Sequence, residues 1–444
     1  MSTRPRTGTE SSNGATKPAA QLPHTPRTSE MPSRPQPISL KEAAALAAGA
    51  VSPAPVRWVP VDTALHRISA RDLVCPFPIP GEARSRMDGY AVRARDTRGA
   101  SRLDPRRLRC LDQTLAAGMI PAVFLEPGTA CRILTGAIVP QGADAVIPDE
   151  DVERSGAEIR VLAEAVPGQW ISPAGEIMAH GAVGVRAGTR LTAPRLAAAT
   201  AMGYGHVPVR SRCRVALMST GSEILEPGAA WRPGASYADT RYLLAGWLRS
   251  LGAPAVHLGC AADDPSAIAT LLDKASSPVT VTTGGTGGGD KDFIFRVWKD
   301  LGITPIFHGV AVKPGAGTAL GHRKGRLFWA VPGSPWAATV VFHELFVPML
   351  ETWYGSTEPF IPTYTARLER GLTWEGRGVR AVPGLLFMRE ETLRFDPTAP
   401  TLSHSLTDLK EINAYAVISP ERGRLAMESP VPVRLLAGHG IASR

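Results

Sequence analysis

Val279-Thr280-Val281-Thr282-Thr283-Gly284-Gly285-Thr286-Gly287-Gly288-Gly289-Asp290-Lys291-Asp292 runs from a short β-branched stretch into a loop that is mostly glycine. The first five residues read as a buried strand, and the apolar spacing over 293–301 reads as a helix that follows the loop. Outward from this point the same rhythm repeats. Strands are expected over 214–218 and 255–258, with helices over 240–251 and 265–275. Further strands are expected near Val310 and over 328–331, and a last helix over 336–350. Strand and helix alternating at this spacing predict a parallel sheet with right-handed crossovers, filling residues 212–356.

Both flanks have a different pattern. Residues 357–444 show short alternating strands, such as 364–368 and 431–435, between Gly, Pro and Asp, and read as a small β-barrel-like domain. Residues 59–166 break short Val-, Ile- and Leu-rich runs (132–134, 145–148, 158–162) with turns, and read as a β-rich module. Ser39-Leu40-Lys41-Glu42 has the spacing of a capping box ahead of an Ala/Leu helix, and an Ala-rich helix is expected over 195–202 after Pro194. Residues 1–37 are Ser, Thr, Pro and Arg with almost no large apolar side chains, which predicts a disordered tail. Its prolines also argue against the amphipathic helix of a transit peptide.

Composition narrows the function classes. The 444 residues are 44% hydrophobic and 20% charged, ordinary for a globular chain, and no apolar run is long enough to cross a bilayer, so no membrane role is expected. Lys and Arg exceed Asp and Glu by nine, which favours anionic partners. There is no zinc-finger spacing and no RNP-like aromatic motif, so a small phosphorylated ligand is expected rather than nucleic acid. Five cysteines, widely separated and without a C-x-x-C pair, point to a reducing cytoplasm.

In open α/β sheets ligands bind beyond the carboxyl ends of the strands. The residues at those ends are Ser219-Thr220-Gly221-Ser222-Glu223, Asp263-Asp264-Pro265 and the Gly284-to-Asp292 loop, all on one predicted edge. The glycine loop can turn backbone N–H groups toward a phosphate, or be a loop with no ligand. Glu223, Asp263 and Asp292 supply the hard oxygen ligands that Mg²⁺ prefers, although each can equally be a helix cap. Asp239-Thr240 has an N-cap signature. Lys313-Pro314-Gly315 and Pro332-Gly333-Ser334-Pro335 read as tight turns after strands, and Asp88 as an acid in a turn before a strand.

Together and in this order, Ser85-Arg86-Met87-Asp88-Gly89-Tyr90-Ala91-Val92, Leu134-Thr135-Gly136-Ala137, Gly142-Ala143-Asp144-Ala145-Val146, Ser219 to Glu223, the glycine loop, Lys313-Pro314-Gly315 and Pro332 to Pro335 resemble the molybdopterin molybdenumtransferase family. That family is homologous to the C-terminal domain of gephyrin, and the resemblance runs from about Ser39 to the end. It implies a four-domain α/β and β architecture. Its parts are a three-layer domain like molybdopterin adenylyltransferase (212–356), a β-rich module bearing Asp88 (59–166), an elongated dimerisation domain (38–58 and 167–211) and a C-terminal β-barrel. It further implies a cytoplasmic homodimer that takes adenylylated molybdopterin and molybdate and, with Mg²⁺, yields molybdenum cofactor and AMP. Molybdopterin adenylyltransferase and molybdoenzymes are the implied protein partners. By matching position, Asp88, Thr135, Glu223, Asp263 and Asp292 inherit catalytic roles, the last three as metal ligands. Substrate binding falls to Thr220, Gly221, Ser222 and Asp239, to Gly284, Gly285, Gly287 and Gly289 of the loop, and to Lys313, Pro332, Gly333 and Pro335.

The sequence departs from the family where the oxyanion is bound. Ala316-Gly317 stands where a second Lys-Pro is usual, Ser334-Pro335-Trp336-Ala337 replaces Asn-Pro-Val-Ser, and Arg241 replaces an asparagine. Thr286-Gly287 is closer to the adenylyltransferase. Each hydrogen bond to a charged group is worth about 1.5–3 kcal/mol, so two lost donors weaken an anion site unless Arg241, Arg389 or another cation compensates. The alternative reading is a divergent paralogue that binds or carries molybdopterin without turnover, or a scaffold.

Overall fold

The computed structural model describes residues 36–286, 293–374, 378–397, 409–419 and 423–443. Near the N-terminus, Ser39 Oγ accepts from Glu42 N and starts helix α1 (Leu40–Gly49). Ala43 and Ala47 are its buried face. Next comes a six-stranded sheet of β1 (Gly89–Val92), β2 (Arg106–Leu115), β3 (Thr129–Ile133), β4 (Ala145–Pro148), β5 (Val152–Ser155) and β6 (Glu158–Val161), in the order β4-β1-β3-β2-β6-β5. Around it, segments far apart in sequence pair antiparallel: Val56–Pro60 with His206–Arg210, Leu73–Val74 with Val183–Val185, and Arg84–Ser85 with Ile171–Ser172. Helix α2 (Ala193–Ala201), opened by Pro194, packs beside these pairs.

The α/β domain contains β7 (Val215–Thr220), α3 (Asp239–Ser250), β8 (Ala255–Ala261), α4 (Pro265–Lys274), β9 (Val279–Thr283), α5 (Phe293–Asp300), β10 (Thr304–His308), β11 (Ala319–Arg323), β12 (Arg326–Val331), α6 (Pro335–Val341) and α7 (Val347–Tyr354). The sheet order is β8-β7-β9-β12-β11-β10. Every residue of β7 and β9 is buried, as expected for central parallel strands covered on both faces. Strand β12 shows the two-sided core directly. Leu327, Trp329 and Val331 point to one face with α1, α3, α6 and α7, while Phe328 and Ala330 point to the other with α4 and α5. Helix α1 therefore belongs, within this chain, to the same apolar core as α7.

Three features differ from the sequence expectation. The sheet is not parallel throughout, because near one edge β11 runs antiparallel to both of its neighbours, β12 and β10. The β11–β12 hairpin turns on Lys324 and Gly325, both at positive φ, the geometry that tightens a two-residue hairpin. The strand expected near Val310 is β10, and Val310 itself only bridges to Ile38. The helix expected over 336–350 is also interrupted, with a π-helical turn over Phe342–Phe346 between α6 and α7. Pro348 has no N–H to offer the carbonyl of Glu344, so the ladder widens there.

The C-terminal strands β13 (Thr363–Leu368), β14 (Val379–Arg389), β15 (Thr392–Pro397), β16 (Ala414–Ile418) and β17 (Pro430–Leu435) pair in the cycle β14-β15-β13-β17-β16-β14. This closed five-stranded barrel bears out the sequence expectation. Closure removes the exposed edges that short strands otherwise present.

Candidate active site

Strands β7, β8, β9 and β12 are parallel, so their C-terminal ends share one edge. Along that edge lies a cavity of about 340 Å³. Thr220, Gly221 and Glu223 line it after β7, Asp263 after β8, Gly284 and Gly285 after β9, and Gly333 after β12. Asp239 completes the set from the first turn of α3. Eight of the residues selected from sequence therefore meet in one place.

Local chemistry explains which acids face the cavity. Asp264 caps α4, its Oδ2 accepting from Ala267 N at 2.8 Å. The Ser266 hydroxyl and the Ala267 amide hold that carboxyl below the usual carboxylate range. Asp263 is left for the cavity, and it is fixed by a reciprocal pair of bonds. Ser222 N donates to its Oδ2 at 3.3 Å, and its own N donates to Ser222 Oγ at 3.0 Å. Ser222 thus locks a neighbour without lining the cavity. Gly221, at φ +142°, lets Glu223 fold back; a β-carbon there would stand 2.7 Å from both Glu223 carboxylate oxygens.

The N-cap reading of Asp239 is corrected. Ala238 occupies the cap position, and Asp239 is the first residue of α3. Thr240 Oγ1 donates to Gly333 O at 2.6 Å, tying α3 to the loop after β12. Thr240, Ser219, Thr283 and Tyr237, to which sequence reasoning assigned no site role, also line the cavity. The strand-end rule already contained Ser219 and Thr283, whereas nothing local marks Tyr237.

Other expected residues lie elsewhere. Lys313 is exposed on a two-residue strand paired with β14, and Pro335 is buried as the first residue of α6. Neither they nor Pro332 line the cavity. Ser334 caps α6 through Ala337 N at 3.4 Å. Gly317 lies against the glycine loop, where a β-carbon would meet Thr286 O at 2.4 Å. Gly287, Gly289 and Asp292 fall outside the described residues. Among the described residues no three His, Cys, Asp or Glu side chains group as a metal site. The two compensating cations suggested by sequence are both engaged. Arg241 pairs with Glu226, and Arg389 pairs with Glu369 in the barrel.

Asp88 and Thr135 do not line the cavity. They meet each other instead. Asp88 Oδ1 accepts from both Thr135 N and Thr135 Oγ1, each at 2.7 Å. These bonds, with Arg132 nearby, hold the Asp88 carboxyl below the usual range. Arg132 donates to Gly89 O at 3.1 Å and grips Asp149 through both terminal nitrogens. This ordered acidic turn sits at the start of β1.

Comparison with known proteins follows the same lines. Residues 38–203 match the family described as MoeA N-terminal region (domain I and II), and residues 216–352 match a probable molybdopterin binding domain. The molybdopterin molybdenumtransferase of Bacillus subtilis is 33% identical over 81% of this chain and 85% of its own length. Molybdopterin molybdenumtransferase 2 of Mycobacterium tuberculosis is 33% identical over 71% of this chain and 79% of its own. The solved molybdopterin biosynthesis MoeA protein of Pyrococcus horikoshii superposes with a TM-score of 0.81 at 31% identity, covering 91% of this chain and 100% of that one. Fold, order of motifs and extended similarity agree: the chain belongs to the molybdopterin molybdenumtransferase (MoeA) family.

Proposed function

We propose that this protein inserts molybdate into adenylylated molybdopterin, releasing AMP and molybdenum cofactor. The observation that carries this reading is the convergence of Glu223 and Asp263 on a glycine-walled cavity at the strand ends. The volume of about 340 Å³ accommodates a nucleotide-sized portion of the substrate. The residues fit magnesium: Glu223 and Asp263, which line the cavity, would hold it through hard carboxylate oxygens, while Asp264 is withdrawn as a cap. When bound, the ion supplies charge neutralisation at the phosphate oxygens. The Ser222–Asp263 bonds hold one carboxylate in place, and the Thr240–Gly333 bond fixes the opposite wall. Gly284, Gly285 and Gly333 let a phosphate approach the backbone where a side chain would intervene. The free cysteines are compatible with action in a reducing cytoplasm. Among the described residues no helix is long and apolar enough to cross a membrane.

Purified protein incubated with adenylylated molybdopterin, Mg²⁺ and molybdate should release AMP and retain molybdenum. Asp263→Asn keeps an acceptor for Ser222 N but loses the charge. It is expected to lower Mg²⁺-dependent AMP release at least about tenfold, with little change in melting temperature. Undiminished release would remove Asp263 from the site.

Asp88 and Thr135 enter this reading through a homodimer, in which the ordered turn of one subunit completes the cavity of the other. Mixing two separately impaired variants, Asp88→Ala and Asp263→Asn, should raise the activity to about a quarter of that of the unaltered protein, because half of the dimers then carry one intact site. No recovery on subunit exchange would refute the shared site. A second reading, a carrier that binds molybdopterin without turnover, is favoured by the commitment of Arg241 and Arg389 to carboxylates. Tight substrate binding with no AMP release would select it.

A further inference from the structure

Arg241 is the third residue of α3, and its side chain is fully buried. A buried guanidinium is costly unless paired and hydrogen bonded. Its partner is Glu226, reached through Nη2. The same carboxylate accepts from Cys260 Sγ at 3.5 Å, and the guanidinium carbon lies 5.3 Å from the centre of the Tyr242 ring. Nε and Nη1 of Arg241 are buried with no hydrogen-bond partner among the described residues, so the Glu226 pair is its one ionic anchor there. The guanidinium, by its hydrogen bond, also holds the Glu226 carboxyl below the usual carboxylate range.

The pair joins two walls of the cavity. Glu226 ends the segment that leaves β7 and carries Glu223. Within that segment Ile224 and Leu225 pair with Ser236 and Tyr237. Asp239 and Thr240, immediately before Arg241, belong to the first turn of α3. Arg241 itself does not line the cavity, so it acts on the site through these neighbours rather than by touching a ligand.

We propose that Arg241 is a positioning residue: by fastening Glu226 to the first turn of α3, it fixes the carboxylate of Glu223 relative to Asp239 and Asp263. An uncharged residue in its place would leave the 221–238 segment tied to the rest of the domain mainly near its start, by the Ser222–Asp263 bonds and by Gly221 N, which donates to Ala261 O at 3.0 Å. Its short strand pair and Arg232 Nη2, which donates to Ser222 O at 2.7 Å, join only parts of the segment to each other. The kinetic part of the test rests on the reaction proposed above, whereas the exchange part does not.

The experiment compares Arg241→Met, which keeps length without charge, and Arg241→Lys, which can still reach Glu226, with the unaltered full-length protein. Amide exchange is read at Ser236 and Ala238, whose N–H groups donate to Glu223 O and Leu225 O. With Met it should accelerate at least tenfold, while the amides of β9 stay unchanged; Lys should restore protection to within threefold. In parallel, kcat for AMP release should fall at least tenfold with Met while KM moves less than threefold, and Lys should recover most of the loss. Unchanged exchange at those two amides would overturn the proposal, as would equal acceleration throughout β9 or a rise confined to KM. If the unaltered protein releases no AMP, the reaction reading fails and the exchange comparison alone decides the role of Arg241.

Discussion

Gly284→Ala is expected to weaken AMP binding by at least about tenfold and to lower the melting temperature by several degrees. Gly284 has φ +97°, a region that side chains other than glycine rarely enter. A β-carbon there would stand 2.6 Å from Thr220 O and 3.0 Å from Thr220 Oγ1, while Gly333 closes the other side with its own β-carbon position 3.4 Å from Gly284 Cα. Gly284 N also donates to Val331 O at 3.0 Å, so the residue cannot move away without breaking its link to β12. Strain and overlap together cost about 2–4 kcal/mol, and each 1.4 kcal/mol is a factor of ten in an equilibrium constant. Because Thr220 and Gly333 are themselves cavity walls, much of that cost should appear in ligand affinity. Gly325→Ala is the control: it shares a positive φ of 73°, but no atom lies within 4 Å of the added carbon. It should lose some stability and no affinity. Calorimetric titration with AMP and thermal melting of both variants provide the measurement, and unaltered affinity in Gly284→Ala would refute the cavity as the nucleotide site.

Acidification is expected to loosen the seam between the α/β domain and the C-terminal barrel through His343. This imidazole is buried in the π-helical turn, with Nε2 accepting from Ala437 N at 3.0 Å. The proton must therefore sit on Nδ1, which donates to Thr339 O at 2.7 Å. Protonating Nε2 would set two donors against each other. Burial is the main reason that its pKa falls from the ordinary 6.5 to about 4, with Arg434 and His439 adding to the effect and Thr339 opposing it. Beside it, Glu344 Oε1 accepts from Tyr415 OH at 2.6 Å and forms an ion pair with Arg434, whose Nε lies 3.1 Å away.

The folded state binds this proton less readily than the unfolded chain. The contribution is thus complete above pH 6.5 and is lost as pH falls through the interval down to about 4. Its size is about 3 kcal/mol over that interval. In His343→Gln an amide oxygen can accept from Ala437 N and the amide nitrogen can donate to Thr339 O, with nothing to titrate. Unfolding free energies from pH 7.5 to 4 should therefore diverge between the two proteins, the unaltered chain losing more. Parallel curves would remove His343 as the cause.

These expectations draw on different depths of the sequence. The strand over Val279–Thr283 was legible because a β-branched run closed by glycines has few other outcomes, and the structure places it there residue for residue. The N-cap at Ser39 was legible for the same local reason. By contrast, Asp263 and Asp264 are chemically identical neighbours, and only the position of α4 decides which one caps and which one faces the cavity. Asp88 and Thr135 are separated by 47 positions and become partners only through the β1–β3 pairing. Arg241 invited an oxyanion role from its place in the motif, and burial against Glu226 gave it another.

By itself the sequence determined the alternation of strands and helices, the enrichment of glycine and acid at the strand ends, and the family to which the chain belongs. The first two follow from backbone preference and side-chain spacing over a few residues, which act before the chain is compact; the family follows from the order of the motifs along the chain. Tertiary structure alone decided the antiparallel edge of the sheet, the allocation of each carboxylate to cap, ion pair or cavity, and the engagement of Arg241 and Arg389. Those outcomes depend on which distant groups share a low-dielectric neighbourhood, where an unpaired charge is expensive and the nearest counter-charge or amide takes it.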